Sequence, residues 1–402
     1  MTAERHFVIV GGGLAAAKLA EALRANDFEG QITVLGAEEH LPYERPPLSK
    51  EHLLGTKKFD DFVAEPSQWY RDHRVDLRLG TEVTGLDPAA KTVSLPDGST
   101  LGYDKLALAT GAAPRRLDLP GADGANVYQL RTIENSDAIL RLLTEQIGRL
   151  AIVGAGWIGL EVAAAARSAG VEVTIVEAAP LPLLGALGPE MGAFFAQLHR
   201  DHGVDLRLET GVEAIDATGL RLADGSAVAA DAVLVAVGAT PNVELARAAG
   251  LAVENGVLVD AGLTTSDPDI VAVGDIAAQD HPRLHRRIRV EHWANALNQP
   301  AVAARTMLGK SAEYDRLPYF FTDQYDVGME YTGYAGAGDY ERVVVRGVVD
   351  EREFVAFWLD ADDRILAGMN VNVWDVTDRI KELITAGEPV DADRLGDTSI
   401  PL

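Results

Sequence analysis

The sequence predicts an α/β fold with two parallel sheets, and two observations lead to this prediction. A strand-like apolar run, a glycine-rich turn, a helical stretch and a second strand follow one another at 7–35 and again at 150–176. Each copy later contains a short apolar run followed by glycine and proline, at 106–114 and at 233–241. Short apolar strands that alternate with helices are typical of parallel sheets covered on both faces. The repeat therefore predicts two domains with one plan.

The glycines of both copies lie where a dinucleotide-binding turn requires them. They are Gly11 and Gly13, with the small Ala16 in third place, and then Gly154, Gly156 and Gly159. The first glycine permits the tight turn, the second lets the backbone approach a pyrophosphate, and the third lets helix and strand pack closely. The phosphates then bind unpaired N–H groups at the start of the helix. Two such turns predict two Rossmann-like dinucleotide-binding domains, and two unrelated glycine turns are the alternative.

A carboxylate follows the strand of the second copy. Glu177 comes directly after the strand at 173–176. A carboxylate at this point binds the adenosine ribose of NAD and repels the 2′-phosphate of NADP. No lysine or arginine occurs between Glu177 and Arg200 to bind that phosphate, so we expect NADH to be preferred over NADPH.

The first copy departs from this pattern, because Gly36 occupies the strand end. Glu38 is the predicted ribose ligand, Glu39 is the competing candidate, and either one could be merely solvated. A third strand, again followed by glycine, leads to Asp275. The Asp275 carboxylate could accept hydrogen bonds from a sugar alcohol chain, or it could cap a helix that begins at Ile276.

The composition excludes several classes of protein. The 402 residues suggest two or three domains, and the apolar runs are too short to span a bilayer. The first apolar run leads directly into glycines with no cleavage site after it, so we expect a cytoplasmic protein. Without cysteine, the chain has no redox-active thiol and no thiolate metal site, and we predict no bound metal. The net charge of −25 makes nucleic acid and anionic membranes poor partners.

Five motifs, in order along the chain, carry a resemblance to a known family. They are Pro-Tyr-Glu-Arg-Pro-Pro-Leu-Ser-Lys at 42–50, Ala-Thr-Gly at 109–111, Val-Gly-Ala-Thr-Pro-Asn at 237–242, Val-Gly-Asp at 273–275 and Glu-His-Trp-Ala-Asn-Ala at 291–296. Together they resemble the FAD-dependent ferredoxin reductases, which include the reductase components of Rieske dioxygenases. The run at 319–325 also resembles an aromatic-Ser-Asp-Gln stretch of that family, with Thr322 in place of serine.

The resemblance implies a glutathione-reductase-like layout with FAD and NADH as cofactors. An FAD-binding domain would comprise 1–112 and 243–314, an NADH-binding domain 113–242, and a C-terminal α+β domain 315–402. The implied activity passes electrons from NADH through FAD to a ferredoxin that serves a cytochrome P450 or a dioxygenase. One alternative is a flavoprotein like apoptosis-inducing factor, in which NADH binding changes the partners and turnover is incidental. Another is a reductase for rubredoxin.

The resemblance also implies which residues bind each cofactor. Those for FAD would be Gly11, Gly13, Ala15, Glu38, Arg45, Lys50, Val83, Ala109, Thr110, Gly111, Arg131, Gly274, Asp275 and Trp293. Those for NADH would be Gly154, Gly156, Ile158, Gly159, Glu161, Glu177 and Gly238. The chain departs from the family just after Gly36, where Ala37 replaces an acidic residue, and this leaves the role of Glu38 open.

Three of these residues are expected at the reacting rings. Lys50 would lie against the flavin, where a cation favours electron density on the ring, or else be a surface lysine in a helix capped by Ser49. Glu161 would face the nicotinamide and pair with Lys50, or else be an exposed acid near a helix N-terminus. Trp293 would cover the flavin edge or be a core aromatic, and His292 is expected to be structural.

One segment opposes the overall acidity of the chain. Between His281 and His292 it contains four arginines and one carboxylate, namely Arg283, Arg286, Arg287, Arg289 and Glu291. Exposed charges are screened beyond about 10 Å, so a local basic patch can bind an acidic partner despite the net charge. We predict that this patch transiently binds a small acidic iron–sulfur ferredoxin. The alternatives are a solvated loop and arginines paired with nearby acids.

Overall fold

The structure, a computed structural model, describes residues 5–402. Contacts between residues divide it into two compact units. The first contains the described part of Met1–Glu44 with Phe59–Ala113 and Ala239–Pro318, and the second contains Arg45–Lys58, Pro114–Gly238 and Tyr319–Leu402. The first four residues of the predicted FAD-binding domain lie outside the described residues.

Strand, helix and strand follow one another in both glycine-turn regions as predicted, whereas five successive strands occupy 319–371. The α-helices are α1 Leu14–Ala25, α2 Ser67–Asp72, α3 Ile133–Thr144, α4 Trp157–Ser168, α5 Leu184–Asp201, α6 Glu244–Ala248, α7 Trp293–Met307, α8 Thr377–Ala386 and α9 Ala392–Gly396. Short 3₁₀ helices span Pro46–Ser49, Phe59–Phe62 and Gly274–Ile276. The strands are β1 His6–Val10, β2 Gln31–Leu35, β3 Val75–Arg78, β4 Gly85–Asp87, β5 Thr92–Ser94, β6 Thr100–Gly102, β7 Lys105–Leu108, β8 Ala112–Pro114, β9 Val127–Tyr128, β10 Arg149–Val153, β11 Glu172–Val176, β12 Asp205–Arg207, β13 Val212–Asp216, β14 Gly219–Leu222, β15 Ala227–Ala229, β16 Ala232–Val235, β17 Ala239–Pro241, β18 Val253–Glu254, β19 Gly256–Val259, β20 Ile270–Ala272, β21 Ala277–His281, β22 Arg286–Ile288, β23 Tyr319–Gln324, β24 Val327–Gly333, β25 Arg342–Val348, β26 Glu353–Leu359 and β27 Ile365–Val371.

The first unit contains a parallel sheet in the strand order β20-β7-β1-β2-β3. Its central strand β1 is apolar from Phe7 to Val10, and Phe7, Val8 and Ile9 are fully buried. Continuous apolar strands of this kind suit a sheet that is covered on both faces. The alanine-rich α1 packs closely against α7. The glycine turn before α1 directly follows β1, so it lies at the carboxyl ends of the parallel strands.

The second unit contains a parallel sheet and an antiparallel one. The parallel sheet has the order β12-β11-β10-β16-β9 and is covered by α4. The antiparallel sheet has the order β23-β24-β27-β26-β25, and α8 and α9 pack on it. Its core includes Phe354, Phe357 and Trp358, which are fully buried. The aromatic and β-branched residues of β24–β27 favour such strands.

The internal repeat extends to single hydrogen bonds. The N–H of Gly11 donates to Leu35 O at 2.8 Å, and the N–H of Gly154 donates to Val176 O at 2.8 Å. In both copies the bond holds the glycine turn against the end of the neighbouring strand. The predicted fold class, with two Rossmann-like sheets and a C-terminal α+β region, is confirmed. Among residues 5–402, none of the helices has both the length and the apolar character needed to cross a bilayer.

Candidate functional site

The first glycine turn has open space in front of α1. Gly11 has a φ of +127°, and a Cβ there would lie 2.1 Å from the carbonyl oxygen of Ala109, so a side chain would clash. A Cβ on Gly13 would meet no atom of the described residues within 4 Å. Among those residues, no side chain caps α1, and its first turn carries no acid, which leaves its N–H groups available. The turn therefore fits a pyrophosphate group.

Two predicted FAD residues adjoin the start of α1. A Cβ on Gly274 would lie 3.4 Å from the Cβ of Ala15, and the Gly274 N–H donates to Gln299 Oε1 at 2.8 Å. Asp275 is half-buried at the next position. The helix-capping alternative for Asp275 is wrong, because strand β21 rather than an α-helix follows Ile276. The carboxylate thus lies at the same end of the sheet as the glycine turn.

Asn242 forms hydrogen bonds between two motifs that are far apart in the sequence, at 237–242 and 109–111. Its side-chain amide donates to Thr110 O at 2.7 Å, and its carbonyl oxygen accepts from Thr110 Oγ1 at 2.9 Å. Its N–H donates to Gly111 O at 3.0 Å. These three bonds fix the backbone at 109–111, which follows the central strand pair of the first sheet.

Glu38 and Glu39 differ in their surroundings. Glu38 is half-buried, and the Tyr43 hydroxyl donates to its Oε2 at 2.6 Å. Glu39 is exposed. Val83 is half-buried and packs against the core of the same unit. A carboxylate that is already oriented loses less side-chain entropy on binding, so the geometry favours Glu38 over Glu39 as a ribose ligand.

The second glycine turn opens into a cavity of about 550 Å³. Its wall includes Gly154, Gly156, Glu177 and Gly238, together with Thr210 and the segments at 117–119 and 181–186. A Cβ on Gly156 would meet no atom of the described residues within 4 Å, whereas one on Gly159 would lie 2.2 Å from Gly154 O. The volume is in the range of cofactor pockets, which run from about 300 to 1,000 Å³. Ile158, Gly159 and Glu161 are not part of the wall that the described residues form.

Backbone groups fix the carboxylate of Glu177 in this cavity. Its Oε2 accepts from the N–H of Ala155 at 2.7 Å, and its Oε1 accepts from the N–H of Ala179 at 2.8 Å. Arg207 lies on β12, beside the strand that Glu177 follows, and pairs with Asp205 at 3.0 Å. The search for basic residues between Glu177 and Arg200 did not include Arg207, because only the pairing of β11 with β12 brings it close to Glu177.

Lys50 and Glu161 form a buried ion pair in the second unit. Lys50 Nζ lies 3.1 Å from Glu161 Oε1, and the side chains are 8% and 5% exposed. The surface-lysine alternative is wrong, because Lys50 is buried after a 3₁₀ helix and Ser49 Oγ donates to Glu161 Oε2. The exposed-acid alternative for Glu161 is also wrong. Lys50 Nζ lies 5.1 Å from the ring centre of Phe321.

Thr322, a further polar contact of Glu161, was known from the sequence only as a variant of a family motif. Its Oγ1 donates to Glu161 Oε1 at 2.6 Å, and the residue is fully buried. The hydroxyl therefore does what serine would do at the same position. No local pattern links positions 161 and 322, because the contact joins α4 to β23.

Arg45 and Arg131 come together in the second unit. The Arg45 guanidinium donates to the carbonyl oxygen of Arg131. Arg131 precedes α3, which begins at a capping box between Thr132 and Asn135. The capping box fixes the backbone at Arg131, so the two predicted FAD residues are held as neighbours.

His292 and Trp293 begin helix α7 of the first unit. His292 is the N-cap, and loss of water contact lowers its pKa to about 4, so the ring is neutral near pH 7. A ring that stays neutral near pH 7 agrees with the structural role expected for His292. Trp293 is half-buried at the first position of the helix.

Arg286 and Arg287 lie on β22, which pairs with β21 in a β-hairpin, whereas Arg283 lies in the turn and Arg289 follows the strand. Arg287 donates to Ala278 O at 2.8 Å, and Arg289 donates to Asp275 O at 3.1 Å, so both anchor the hairpin. Arg283 and Arg289 pair with Asp315 and Glu291, as the second alternative expected. Arg286 lies exposed on β22.

Comparisons with known proteins agree with this architecture. Residues 5–299 match the model of the pyridine nucleotide-disulphide oxidoreductases, and 319–402 match that of the reductase C-terminal domain. The chain is 42% identical over 400 residues to the ferredoxin–NAD⁺ reductase component of the anthranilate 1,2-dioxygenase system of Burkholderia cepacia, and the match covers 98% of each. It is 39% identical to putidaredoxin reductase of Pseudomonas putida, with 100% and 97% covered. The crystal structure of the covalent putidaredoxin reductase–putidaredoxin complex matches with a TM-score of 0.94, at 37% identity and 99% and 97% coverage.

Proposed function

The chain belongs to the ferredoxin–NAD⁺ reductases of the pyridine nucleotide-disulphide oxidoreductase family, and we propose that it passes electrons from NADH through FAD to a ferredoxin. The family predicted from the motifs is confirmed. The protein is an FAD-dependent oxidoreductase that uses NAD(H), so both predicted cofactors are confirmed as well.

One observation carries the proposal: a cavity with a fixed carboxylate opens from the second glycine turn of a chain that has no cysteine. Two backbone N–H groups hold the carboxylate of Glu177 in this cavity. A carboxylate fixed at this point suits the ribose diol of NADH. Electrons that enter the chain from NADH have no thiol pair to reduce, so they leave for a separate carrier. We assign the residues at 113–242 to NADH binding.

We assign 1–112 and 243–314 to FAD binding. Gly11 and Gly13 would receive the pyrophosphate, Glu38 the adenosine ribose, and Asp275 the sugar alcohol chain. Bound FAD supplies the chemistry that converts a two-electron donor into a source of single electrons. The chain itself mainly orients the two cofactors and excludes water from them.

Lys50 and Glu161 are the proposed catalytic residues. A buried ammonium stabilises negative charge more strongly than an exposed one, because the local dielectric constant is low. Glu161 would hold that ammonium in place and face the nicotinamide. Trp293, at the start of α7, is the proposed cover of the flavin edge through which electrons leave.

We propose that the exposed face of the β21–β22 hairpin binds a small, acidic iron–sulfur ferredoxin transiently. Arg286 is the residue chosen for the test, because it lies exposed on β22. Steering by an exposed cation changes mainly the rate of encounter. Since NADH is a metabolite of the cell interior, the cytoplasm stays the proposed location.

The experiment measures NADH oxidation by the holoprotein with three kinds of acceptor. Cytochrome c reports on a panel of purified ferredoxins, rubredoxin replaces them in parallel reactions, and ferricyanide serves as the carrier-free acceptor. We expect an acidic ferredoxin to raise cytochrome c reduction by about tenfold or more. In Arg286→Glu the KM for ferredoxin rises about threefold to tenfold while ferricyanide turnover stays constant, an effect of about 1 kcal/mol.

Arg71→Glu is the matched control, because Arg71 is an exposed arginine on α2 of the same unit. It should leave the KM for ferredoxin unchanged. A parallel loss of both activities in Arg286→Glu would contradict docking at the hairpin. Slow reduction by NADH and no acceleration by any carrier would support the alternative in which NADH binding changes partners, and acceleration by rubredoxin alone would support the third function.

A further inference from the structure

A chain of side-chain hydrogen bonds leads away from Glu161 through the interior of the second unit. Thr322 Oγ1 lies 2.6 Å from Glu161 Oε1, and Gln324 Nε2 lies 3.1 Å from Thr322 Oγ1. Gln324 Oε1 lies 2.9 Å from His199 Nε2, and the Tyr325 hydroxyl lies 3.2 Å from His199 Nδ1. The chain thus joins α4, β23 and α5, which are distant in the sequence.

Every link of this chain has a defined direction. A carboxylate only accepts, so the Thr322 hydroxyl donates to Glu161, as Lys50 and Ser49 also do. The Thr322 oxygen is then left to accept from the amide of Gln324. The amide oxygen of Gln324 accepts from His199, which requires the proton on Nε2 and leaves Nδ1 to accept from Tyr325. All donors therefore point toward Glu161.

Burial supports this single arrangement. Thr322 and His199 are fully buried, and Gln324 is 1% exposed. Desolvation lowers the pKa of His199 to about 4, so the ring carries one donor and one acceptor near pH 7. A protonated ring would have two donors and would lose the bond from Tyr325. Hydrogen bonds that run in one direction polarise one another, and the last acceptor gains most.

Charged groups adjoin both ends of the hydrogen-bond chain, including Glu51 near Asp323 and Arg167 near Tyr325. Lys50 and Asp323 lie near Glu161, and desolvation, followed by the charge of Glu161, raises the pKa of Asp323 while Lys50 opposes that rise. His202 faces His199, and its ring stacks on Tyr325 at 3.7 Å. The Glu161 carboxylate thus contacts one ammonium group and two neutral hydroxyl donors, and Thr322 joins one of these donors to the rest of the chain.

We propose that Thr322, Gln324, His199 and Tyr325 form a one-directional hydrogen-bond chain that positions the carboxylate of Glu161 beside Lys50. These four are positioning residues, since each acts through Glu161. The inference rests on the proposed function only in placing Glu161 at the nicotinamide. The direction of the bonds is a property of the protein itself.

The first arm of the test removes one donor. Thr322→Val keeps the shape but loses the hydroxyl, and Thr322→Ser is the conservative control. In Thr322→Val we expect kcat for NADH–ferricyanide turnover to fall about threefold to tenfold while the KM for NADH changes little, as for the loss of one hydrogen bond to a charged group that acts after NADH has bound. Thr322→Ser should restore the kcat of the parent protein. A kcat of Thr322→Val equal to that of the parent, or an equal loss in Thr322→Ser, would overturn the proposal.

The second arm does not depend on activity. The ¹⁵N shifts of the His199 ring in the holoprotein, assigned with a His199→Asn variant, report its tautomer. We expect a neutral ring with the proton on Nε2 down to about pH 5, given its depressed pKa. A proton on Nδ1 would reverse the chain and overturn the proposal. If Thr322→Val does not fold, Tyr325→Phe serves in its place. We then expect a smaller loss of kcat with the KM for NADH unchanged, and an unchanged kcat would overturn the proposal.

These two arms also separate the inference from the proposed function. Absence of ferredoxin-dependent turnover in the parent protein would overturn the proposed acceptor and leave the ring tautomer unaffected. The Nδ1 tautomer in a protein that reduces ferredoxin would overturn the chain alone.

Discussion

The two glycine turns make the same backbone hydrogen bond to the neighbouring strand, but the residue that follows that strand differs between them. In the second copy Glu177 follows the strand and its carboxylate accepts from the N–H of Ala155. In the first copy Gly36 and Gly12 take these places, and a Cβ on Gly12 would lie 2.8 Å from the Gly36 Cα. The two backbones approach so closely that no side chain fits between them. The proposed ribose carboxylate of this copy therefore lies further along the chain, at Glu38.

The helices that follow the two turns differ in the same way. Lys18 and Glu161 both lie five residues beyond the second glycine of their motif, Gly13 or Gly156. Lys18 pairs with two acids on the partly exposed side of α1, at 2.8 and 3.0 Å. Glu161 is buried and accepts from Lys50 and two hydroxyl groups. One backbone plan thus yields a solvated ion pair in one unit and a buried one in the other.

The largest difference is expected when the lysine of each pair is removed. Lys50→Met leaves the buried carboxylate of Glu161 without its cation, which should lower the free energy of unfolding by about 3 kcal/mol. Lys18→Met removes a partly exposed pair and should cost about 1 kcal/mol or less. Urea denaturation of the holoprotein measures both values. Equal losses would mean that burial does not distinguish the two pairs.

A smaller difference is expected when a Cβ is added to each first glycine. In Gly11→Ala the Cβ would lie 2.1 Å from Ala109 O, and in Gly154→Ala it would lie 2.5 Å from Ala236 O. Strained backbone of this kind costs about 1–3 kcal/mol per site, or about fivefold to 150-fold in affinity. Gly11→Ala should lower the FAD content of the purified protein, whereas Gly154→Ala should keep FAD and raise the KM for NADH.

The matched control for these variants is Gly225→Ala, in a hairpin turn where a Cβ would meet no atom of the described residues within 4 Å. Its φ of +84° gives a similar backbone strain without a steric clash. It should therefore leave FAD content and the KM for NADH unchanged. Loss of FAD in Gly154→Ala as well would contradict the assignment of one cofactor to each turn.

The repeat made much of the fold and part of the site predictable. Strand and glycine patterns are local, so the bounds of β1, α1, β10 and α4 were predicted to within a residue or two. The position of Glu177 directly after β11 was predicted for the same reason. The close approach of Gly12 to Gly36 was not visible in the sequence, because it depends on the distance between two segments in the folded chain. The Glu161–Thr322 contact was also missed, because it joins α4 to β23, which are far apart in the sequence.

The arginine segment shows a different limit of sequence reasoning. Charge composition identified four arginines but could not tell which of them the fold uses. Arg287 and Arg289 bond to backbone carbonyl groups, which requires the pairing of β21 with β22. The contribution of these two arginines to the hairpin therefore follows from the strand register and not from the charge pattern. A composition-based patch is therefore larger than the surface that can meet a partner.

The smallest difference is expected when one carboxylate oxygen is replaced at each ribose position. Glu177→Gln keeps the size but removes the charge, and one of its two bonds to backbone N–H groups is lost because the amide nitrogen cannot accept. We expect the KM for NADH to rise about fivefold to tenfold and the preference over NADPH to shrink, because the repulsion of the 2′-phosphate is gone. Glu38→Gln should leave both nucleotides unaffected and lower FAD affinity about threefold, since Tyr43 still donates to the remaining oxygen. Steady-state kinetics with both nucleotides and FAD titration of the apoprotein measure these effects. Comparable kcat/KM for NADH and NADPH in the parent protein would contradict the role of Glu177, and an unchanged FAD affinity in Glu38→Gln would leave Glu39 as the ribose ligand.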